Sequence, residues 1–178
     1  IGDELRLEKP ILTYWVQVVS IYIFGANEFA LRLPSIIASF IWAYSFSSFV
    51  NQHTRNVRRS EIFLNLLTLP GVFIMSSAAT ADAFLNLFIT LLMINLFNYS
   101  IKKDDKLLIW SGIYVALGFL SKGLTIIAIC GTVSLIYFSL KRQLLNFLTI
   151  LISWKAWLAF VIVVLPWFIF ILNEIGIS

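Results

Sequence analysis

Long runs of apolar residues separated by short polar connections dominate the sequence. Six runs of 15 to 19 residues carry almost no charge, and they occupy residues 33–50, 62–79, 83–101, 107–121, 123–140 and 156–172. About 20 apolar residues in an α-helix cross the ~30 Å hydrocarbon core of a bilayer. The pattern therefore predicts an all-α integral membrane protein with about six transmembrane helices.

Two shorter apolar stretches predict helices of another kind. Residues 10–24 include Tyr14, Trp15 and Gln17, whose aromatic and polar side chains suit the membrane interface better than its centre. Residues 143–153 are too short to cross a bilayer. We therefore expect one or two interfacial amphipathic helices beside the transmembrane bundle.

Composition excludes a soluble globular protein, because 60% of the residues are hydrophobic and 12% are charged. Soluble domains have about 45–50% apolar and about 25% charged residues. The lone Cys130 lies in an apolar run, so no internal disulfide can form, and packing is its expected role. The sequence shows no linker, and it predicts a single transmembrane domain over 1–178, with an extracytoplasmic interfacial segment at 1–28 and the helical membrane bundle at 29–178.

The basic residues predict the orientation of the chain. Nine of the 13 Lys and Arg residues lie in three alternate connections, at 51–61, 102–106 and 141–155. The positive-inside rule places these connections in the cytoplasm. This clustering between apolar runs also explains the basic pI of about 9.3 without a nucleic-acid partner. We expect a multi-pass protein of the inner (plasma) membrane, with both termini of this piece extracytoplasmic.

Charged residues in the opposite connections are the candidates for chemistry. Asp82 and Lys122 lie in very short outer connections, and Glu8 and Lys9 precede the interfacial stretch on the same side. An ammonium group at this level suits a phosphate, and a carboxylate suits a divalent cation or a proton. We expect these four side chains to converge on one pocket at the outer face.

Each candidate also has a structural explanation, which the residues alone leave open. Asp82 can cap the helix that follows it, with Thr80 as another candidate for that cap. Lys122 can extend along a helix end to the interface. Glu8 and Lys9 can form a solvated charge pair. Arg32 can anchor the start of a span at the headgroup phosphates.

Four motifs in order resemble one family of enzymes. They are LEKPILTYW at 7–15, IFGANEFALRLPS at 23–35, Thr80 to Asp82, and Leu120 to Gly123. This pattern resembles the bacterial glycosyltransferases of the GT-C fold that include the lipid A aminoarabinose transferase, with the protein O-mannosyltransferases as more distant relatives.

The resemblance implies an enzyme that moves a sugar from a polyprenyl-phosphate carrier to lipid A, or to another glycan or a protein. By the same resemblance, Glu8 is the ligand of a divalent metal ion and Asp82 is the catalytic acidic residue. Lys9, Lys122 and Arg32 are the residues expected to bind the carrier phosphate. The expected partners are the donor lipid, the acceptor and membrane lipids.

The resemblance covers only part of a full-length family member. Before the first motif, family members have a first spanning helix and an Asp-Glu segment that supplies the catalytic base. After the last motif, they have further helices, a histidine metal ligand and a soluble domain. The chain is therefore expected to be an N-terminal-half fragment of a GT-C fold.

Two alternative functions remain open. They are a small transporter or flippase-like subunit and an inactive membrane remnant. A transporter would need ionisable residues or paired breaks within its spans, and here only Pro70 and Pro166 interrupt the predicted spans.

Overall fold

The computed structural model describes residues 11–54 and 57–175, and all regular structure in these ranges is α-helical. Nine helices occur there. They are α1 Leu12–Phe24, α2 Glu28–His53, α3 Arg59–Thr68, α4 Pro70–Ser77, α5 Ala81–Lys102, α6 Asp105–Lys122, α7 Thr125–Leu140, α8 Leu144–Ile152 and α9 Trp154–Ile175. The all-α prediction is confirmed for the described part of the chain.

Three helices are long and apolar enough to cross a membrane, judged by length and composition. They are α2, α5 and the Trp154–Asn173 part of α9, while α1 and α7 are apolar but shorter. Helix α6 covers the whole of the fourth predicted stretch, 107–121, and has 18 residues. The chain is thus a helical membrane protein, and the count of six spans stays a prediction.

The second predicted stretch, 62–79, is two helices rather than one. Helix α3 ends at Thr68 and α4 begins at Pro70, with Leu69 between them in an extended conformation. Proline has no N–H to donate, and its ring disfavours the helical conformation of the preceding residue. Pro70 is well placed as the first residue of a new helix, which explains why the apolar run is broken here.

Helix α5 lies at the centre of the bundle and packs against α2, α6 and α7. Its buried Phe84, Phe88 and Leu92 belong to one hydrophobic core with Ala38 of α2 and Ile126 of α7. The side of α2 that faces this core is built from small residues at every fourth position. These buried residues are Ser35, Ser39, Ala43 and Ser47. Small residues at this spacing allow close approach of two helix backbones.

Helices α6 and α9 also pack closely, with Gly112 at the contact. A Cβ atom at Gly112 would collide with the backbone of Ala156, so only glycine fits the observed separation. Nearby, an ion pair joins Asp105 at the start of α6 to Lys155 at the start of α9. Together these contacts hold the first turn of α9 against the first half of α6.

Helix α1 covers the residues expected to form an interfacial helix. It has 13 residues and is about 20 Å long, which is less than the thickness of the hydrocarbon core. It packs against α2 and α6, and the ring of Trp15 meets Trp167 of α9 edge-on at 5.9 Å. Its position along the membrane surface stays a prediction.

Candidate functional site

An ion pair between Asp82 and Lys122 marks one end of the bundle. Asp82 is the second residue of α5, and Lys122 is the last residue of α6. Because α5 and α6 pack as antiparallel neighbours, the start of one meets the end of the other, and the Lys122 ammonium donates to the Asp82 carboxylate. The side chains are 34% and 48% exposed, respectively, so a ligand can reach both.

The helix ends favour this distribution of charge. A carboxylate in the first turn of α5 and an ammonium in the last turn of α6 each complement the dipole of their own helix. Asp82 does not cap α5, because the N-cap residue is Thr80. Lys122 pairs with a defined carboxylate rather than extending alone towards the interface. The capping role is therefore wrong for Asp82, and extension to the interface does not account for the ion pair of Lys122.

The loop before Asp82 is tied to two other helices. Ala79 has the positive φ of 52°, which is uncommon for a residue with a side chain. Its carbonyl accepts a hydrogen bond of 3.2 Å from the Gln17 amide of α1, and the next carbonyl, that of Thr80, accepts one of 3.4 Å from Ser35 of α2. These bonds fix the position of the loop and hence of Asp82.

Thr80 itself contributes a polar atom without a partner. Its Oγ1 is buried and makes no hydrogen bond within the described part of the chain. The sequence does not predict Gln17 or Ser35 as site residues, and it predicts Thr80 only as a candidate helix cap and as the first residue of the third motif. In the sequence, Gln17 stands out only as a polar residue in an apolar stretch. No sequence pattern indicates that Gln17 bonds to the Ala79 carbonyl or that Ser35 bonds to the Thr80 carbonyl.

Arg32 lies near this end of the bundle but has its own partner. Its guanidinium bonds to Glu28, four residues earlier in α2, at 3.1 Å. The Gln17 amide lies 3.5 Å from the carbonyl of the neighbouring Leu31, which places the start of α2 beside the Ala79 loop. The predicted phosphate contact of Arg32 stays a prediction.

Glu8 and Lys9 lie outside the described residues, so their predicted convergence with Asp82 and Lys122 stays a prediction. The described structure begins at Ile11 and Leu12, which pack against a small hydrophobic cluster containing Leu120 and Val164. Leu120 precedes Lys122 by two residues. The chain therefore enters the described structure beside the end of α6 that carries Lys122.

Comparison with known proteins assigns the family. The sequence profile of the dolichyl-phosphate-mannose-protein mannosyltransferase family matches residues 8–170. The chain belongs to this family. The matched region includes both residues of the ion pair, and the family assignment confirms the resemblance identified from the four motifs.

Curated relatives of this family member carry the name undecaprenyl phosphate-α-4-amino-4-deoxy-L-arabinose arabinosyl transferase. The relative from Wigglesworthia glossinidia brevipalpis is 30% identical over 68% of this chain and 22% of its own length. The one from Shewanella sediminis is 25% identical over 93% and 31%. The one from Aeromonas hydrophila is 30% identical over 78% and 26%. The chain thus spans 22% to 31% of the length of these relatives, and no solved structure matches it.

The described residues of this family member do not assemble a metal site. No group of three or more His, Cys, Asp or Glu side chains able to hold a metal occurs among them. Asp82 is engaged by Lys122, and His53 packs against the rings of Phe49 and Phe97 near the other end of α5. A divalent ion at Glu8 would need ligands from outside the described part, so it stays a prediction.

Proposed function

We propose that the chain carries part of the active site of a polyprenyl-phosphate-dependent glycosyltransferase. In this proposal a sugar moves from the carrier lipid to lipid A, or to another glycan or a protein, at the outer face of the inner membrane. The observation that carries the proposal is the solvent-accessible ion pair between Asp82 and Lys122. This pair lies at the end of the bundle opposite the basic connections, in a chain that belongs to a glycosyltransferase family.

The chemistry of sugar transfer explains why a cation would be needed here. Negative charge grows on the carrier phosphate as its bond to the sugar breaks, and a fixed ammonium stabilises that charge in the transition state. Lys122 would exchange its bond to Asp82 for a bond to the phosphate. Lys9 and Arg32 would add further contacts to the same phosphate.

The same exchange would release the Asp82 carboxylate to act on the acceptor. A carboxylate within hydrogen-bond reach of an acceptor hydroxyl can orient that hydroxyl and accept its proton. The Thr80 hydroxyl, which has no hydrogen-bond partner among the described residues, would offer one more hydrogen bond to a bound ligand. A divalent ion at Glu8 would neutralise phosphate charge, but the proposed roles of Asp82 and Lys122 do not depend on it.

The names of the relatives support undecaprenyl phosphate as the carrier, since each is named for a sugar linked to that lipid. The acceptor is left broader than lipid A because identity to these relatives is modest. The proposed topology keeps six spans, with cytoplasmic basic connections and the Asp82–Lys122 pair facing outwards.

Membranes containing the full chain test the proposal with undecaprenyl phosphate-linked aminoarabinose as donor and lipid A as acceptor. We expect Lys122→Gln and Asp82→Asn each to lower the transfer rate by ten- to a hundredfold or more. Charge-assisted contacts are worth about 1.5–3 kcal/mol, which corresponds to this range. Lys9→Ala and Glu8→Ala should lower it as strongly.

The Asp105–Lys155 pair provides the matched control, because it also joins two helices but lies at the opposite end of the bundle. Asp105→Asn and Lys155→Gln should leave the transfer rate unchanged. Equal losses at both pairs would assign the effect to folding and contradict the proposed roles. A chain that neither binds undecaprenyl phosphate nor transfers sugar would contradict the proposal as a whole, and lipid movement without transfer would favour the flippase alternative.

A further inference from the structure

A second feature of the bundle, an apolar groove at the basic end, has no part in the proposed sugar transfer. The groove has a volume of about 350 Å³ and opens between α2, α5 and α7. Ligand sites in proteins commonly have volumes of about 300–1,000 Å³. Its main lining residues are Phe46, Phe49, Met93, Phe97, Val133 and Tyr137.

The groove runs towards the ends of α5 and α7. The ring of Phe97 packs against Phe49 at 5.2 Å and Tyr137 at 6.1 Å, and the Tyr137 hydroxyl lies 3.3 Å from the hydroxyl of Ser100. The Ser134 hydroxyl, which also faces the groove, is buried without a hydrogen-bond partner among the described residues. The groove wall is therefore almost wholly apolar, with polar groups near one end.

Four cations follow within two to five residues of that polar end along the chain. Lys102 and Lys103 end α5 just after Ser100, and Lys141 and Arg142 follow α7 just after Tyr137. All four side chains are exposed, and none forms an ion pair with a described residue. An apolar groove with unpaired cations at its mouth matches a molecule that has an apolar chain and an anionic head.

The backbone at two of these cations is unusual. Lys103 and Arg142 have φ values of 50° and 55°, in the left-handed region where glycine is favoured at helix ends. Side chains at such positions are disfavoured, and their presence at a surface points to a use for the side chain. Here the chain has a basic residue at both helix ends where glycine would be the less strained choice.

We propose that this groove binds an anionic phospholipid in the leaflet on the basic side of the membrane. One acyl chain would lie along the groove, and the headgroup phosphate would contact Lys141 and Arg142, with Lys102 and Lys103 adjacent. Basic pockets between membrane helices on the cytoplasmic side are suited to anionic headgroups. This site is separate from the Asp82–Lys122 pair and does not depend on the proposed sugar transfer.

The test is lipid binding to the purified full chain, measured by native mass spectrometry in detergent. Phosphatidylglycerol and phosphatidylcholine with identical acyl chains are titrated separately, and we expect a clear preference for phosphatidylglycerol. Each basic side chain near an anionic lipid contributes about 1 kcal/mol, or about fivefold in affinity. The Lys141→Gln/Arg142→Gln variant should therefore bind phosphatidylglycerol about 30-fold more weakly.

Two matched controls separate the groove from general electrostatics. Arg58→Gln/Arg59→Gln removes the same charge from α3, which does not line the groove, and should leave affinity unchanged. Val133→Trp fills the groove, while Ile136→Trp changes a residue of α7 that has similar exposure but lies outside the lining. We expect only the first tryptophan to lower binding.

The proposal is overturned if the two lipids bind equally, or if the α3 variant loses as much affinity as the α7 variant. It is also overturned if Val133→Trp binds like Ile136→Trp. Circular dichroism confirms that each variant keeps its helices, and the comparison of the two lipids on the unmodified chain needs no variant.

Discussion

Individual side chains at the two ends of the bundle carry opposite kinds of chemistry. At one end, Lys122 is held by Asp82, and the loop before Asp82 is fixed by Gln17. At the other end, Lys103 and Arg142 have no ion-pair partner among the described residues although their backbone is strained. A paired, positioned cation suits a reaction that needs one geometry. Unpaired cations on a surface suit a headgroup that can bind in several orientations.

A double-mutant cycle on Asp82 and Lys122 separates a catalytic role from a structural one. Partly exposed ion pairs stabilise proteins by about 0–1 kcal/mol, so Asp82→Asn, Lys122→Gln and the double variant should show a coupling energy in this range. Thermal unfolding in detergent measures it, and added salt should reduce it.

The cycle on Asp105 and Lys155 is the comparison. It should give a similar coupling energy, whereas only the Asp82–Lys122 variants should lose transfer activity. A coupling energy of several kcal/mol at Asp82–Lys122 would instead identify this pair as a structural clamp.

Single helices were largely predictable from the sequence, and the exceptions depend on packing. The stretches 83–101 and 107–121 correspond to α5 and α6 within a few residues. Pro70 and Pro166 both lie within predicted spans, yet Pro70 begins a new helix and Pro166 lies inside α9. Hydropathy does not distinguish these outcomes. A proline inside a helix leaves the carbonyl four residues earlier without its N–H donor, and neighbouring groups decide whether that carbonyl finds another hydrogen bond.

The close contact between α6 and α9 at Gly112 gives a prediction about stability. At Gly112 a new Cβ would strike the Ala156 backbone, which cannot rotate away, so Gly112→Ala should lower the free energy of unfolding by about 1–3 kcal/mol. Gly131→Ala is the control, since nothing lies within 4 Å of a Cβ there. Helix propensity alone should make that variant neutral or slightly more stable.

Thermal unfolding of both variants in the same detergent measures the difference. If Gly112→Ala and Gly131→Ala were equally stable, α6 and α9 would not pack as closely as described.

At the scale of the whole molecule, the order of spans was enough to predict which candidates share one end. Asp82 and Lys122 are expected together because both lie in connections opposite the basic ones, and the structure pairs them. The convergence of Glu8 and Lys9 with this pair stays a prediction. The contacts of α1 were not predictable: Gln17 bonds to the Ala79 carbonyl, and Trp15 packs against Trp167 of α9. These residues are 62 and 152 positions apart in the sequence, and no local pattern encodes such pairings.

Orientation connects both proposals, and cysteine labelling of intact cells tests it. On a Cys130→Ala background, Ala26→Cys introduces an exposed thiol between α1 and α2, and Lys141→Cys introduces one at the basic end. Because most basic residues lie in the connections at that second end, we expect a membrane-impermeant maleimide to modify position 26 in intact cells. Position 141 should react only after permeabilisation.

The reverse labelling pattern would place the Asp82–Lys122 pair in the cytoplasm and exclude sugar transfer at the outer face. Phospholipid binding in detergent would be unaffected by that result, because the groove and its cations stay together whichever leaflet they face.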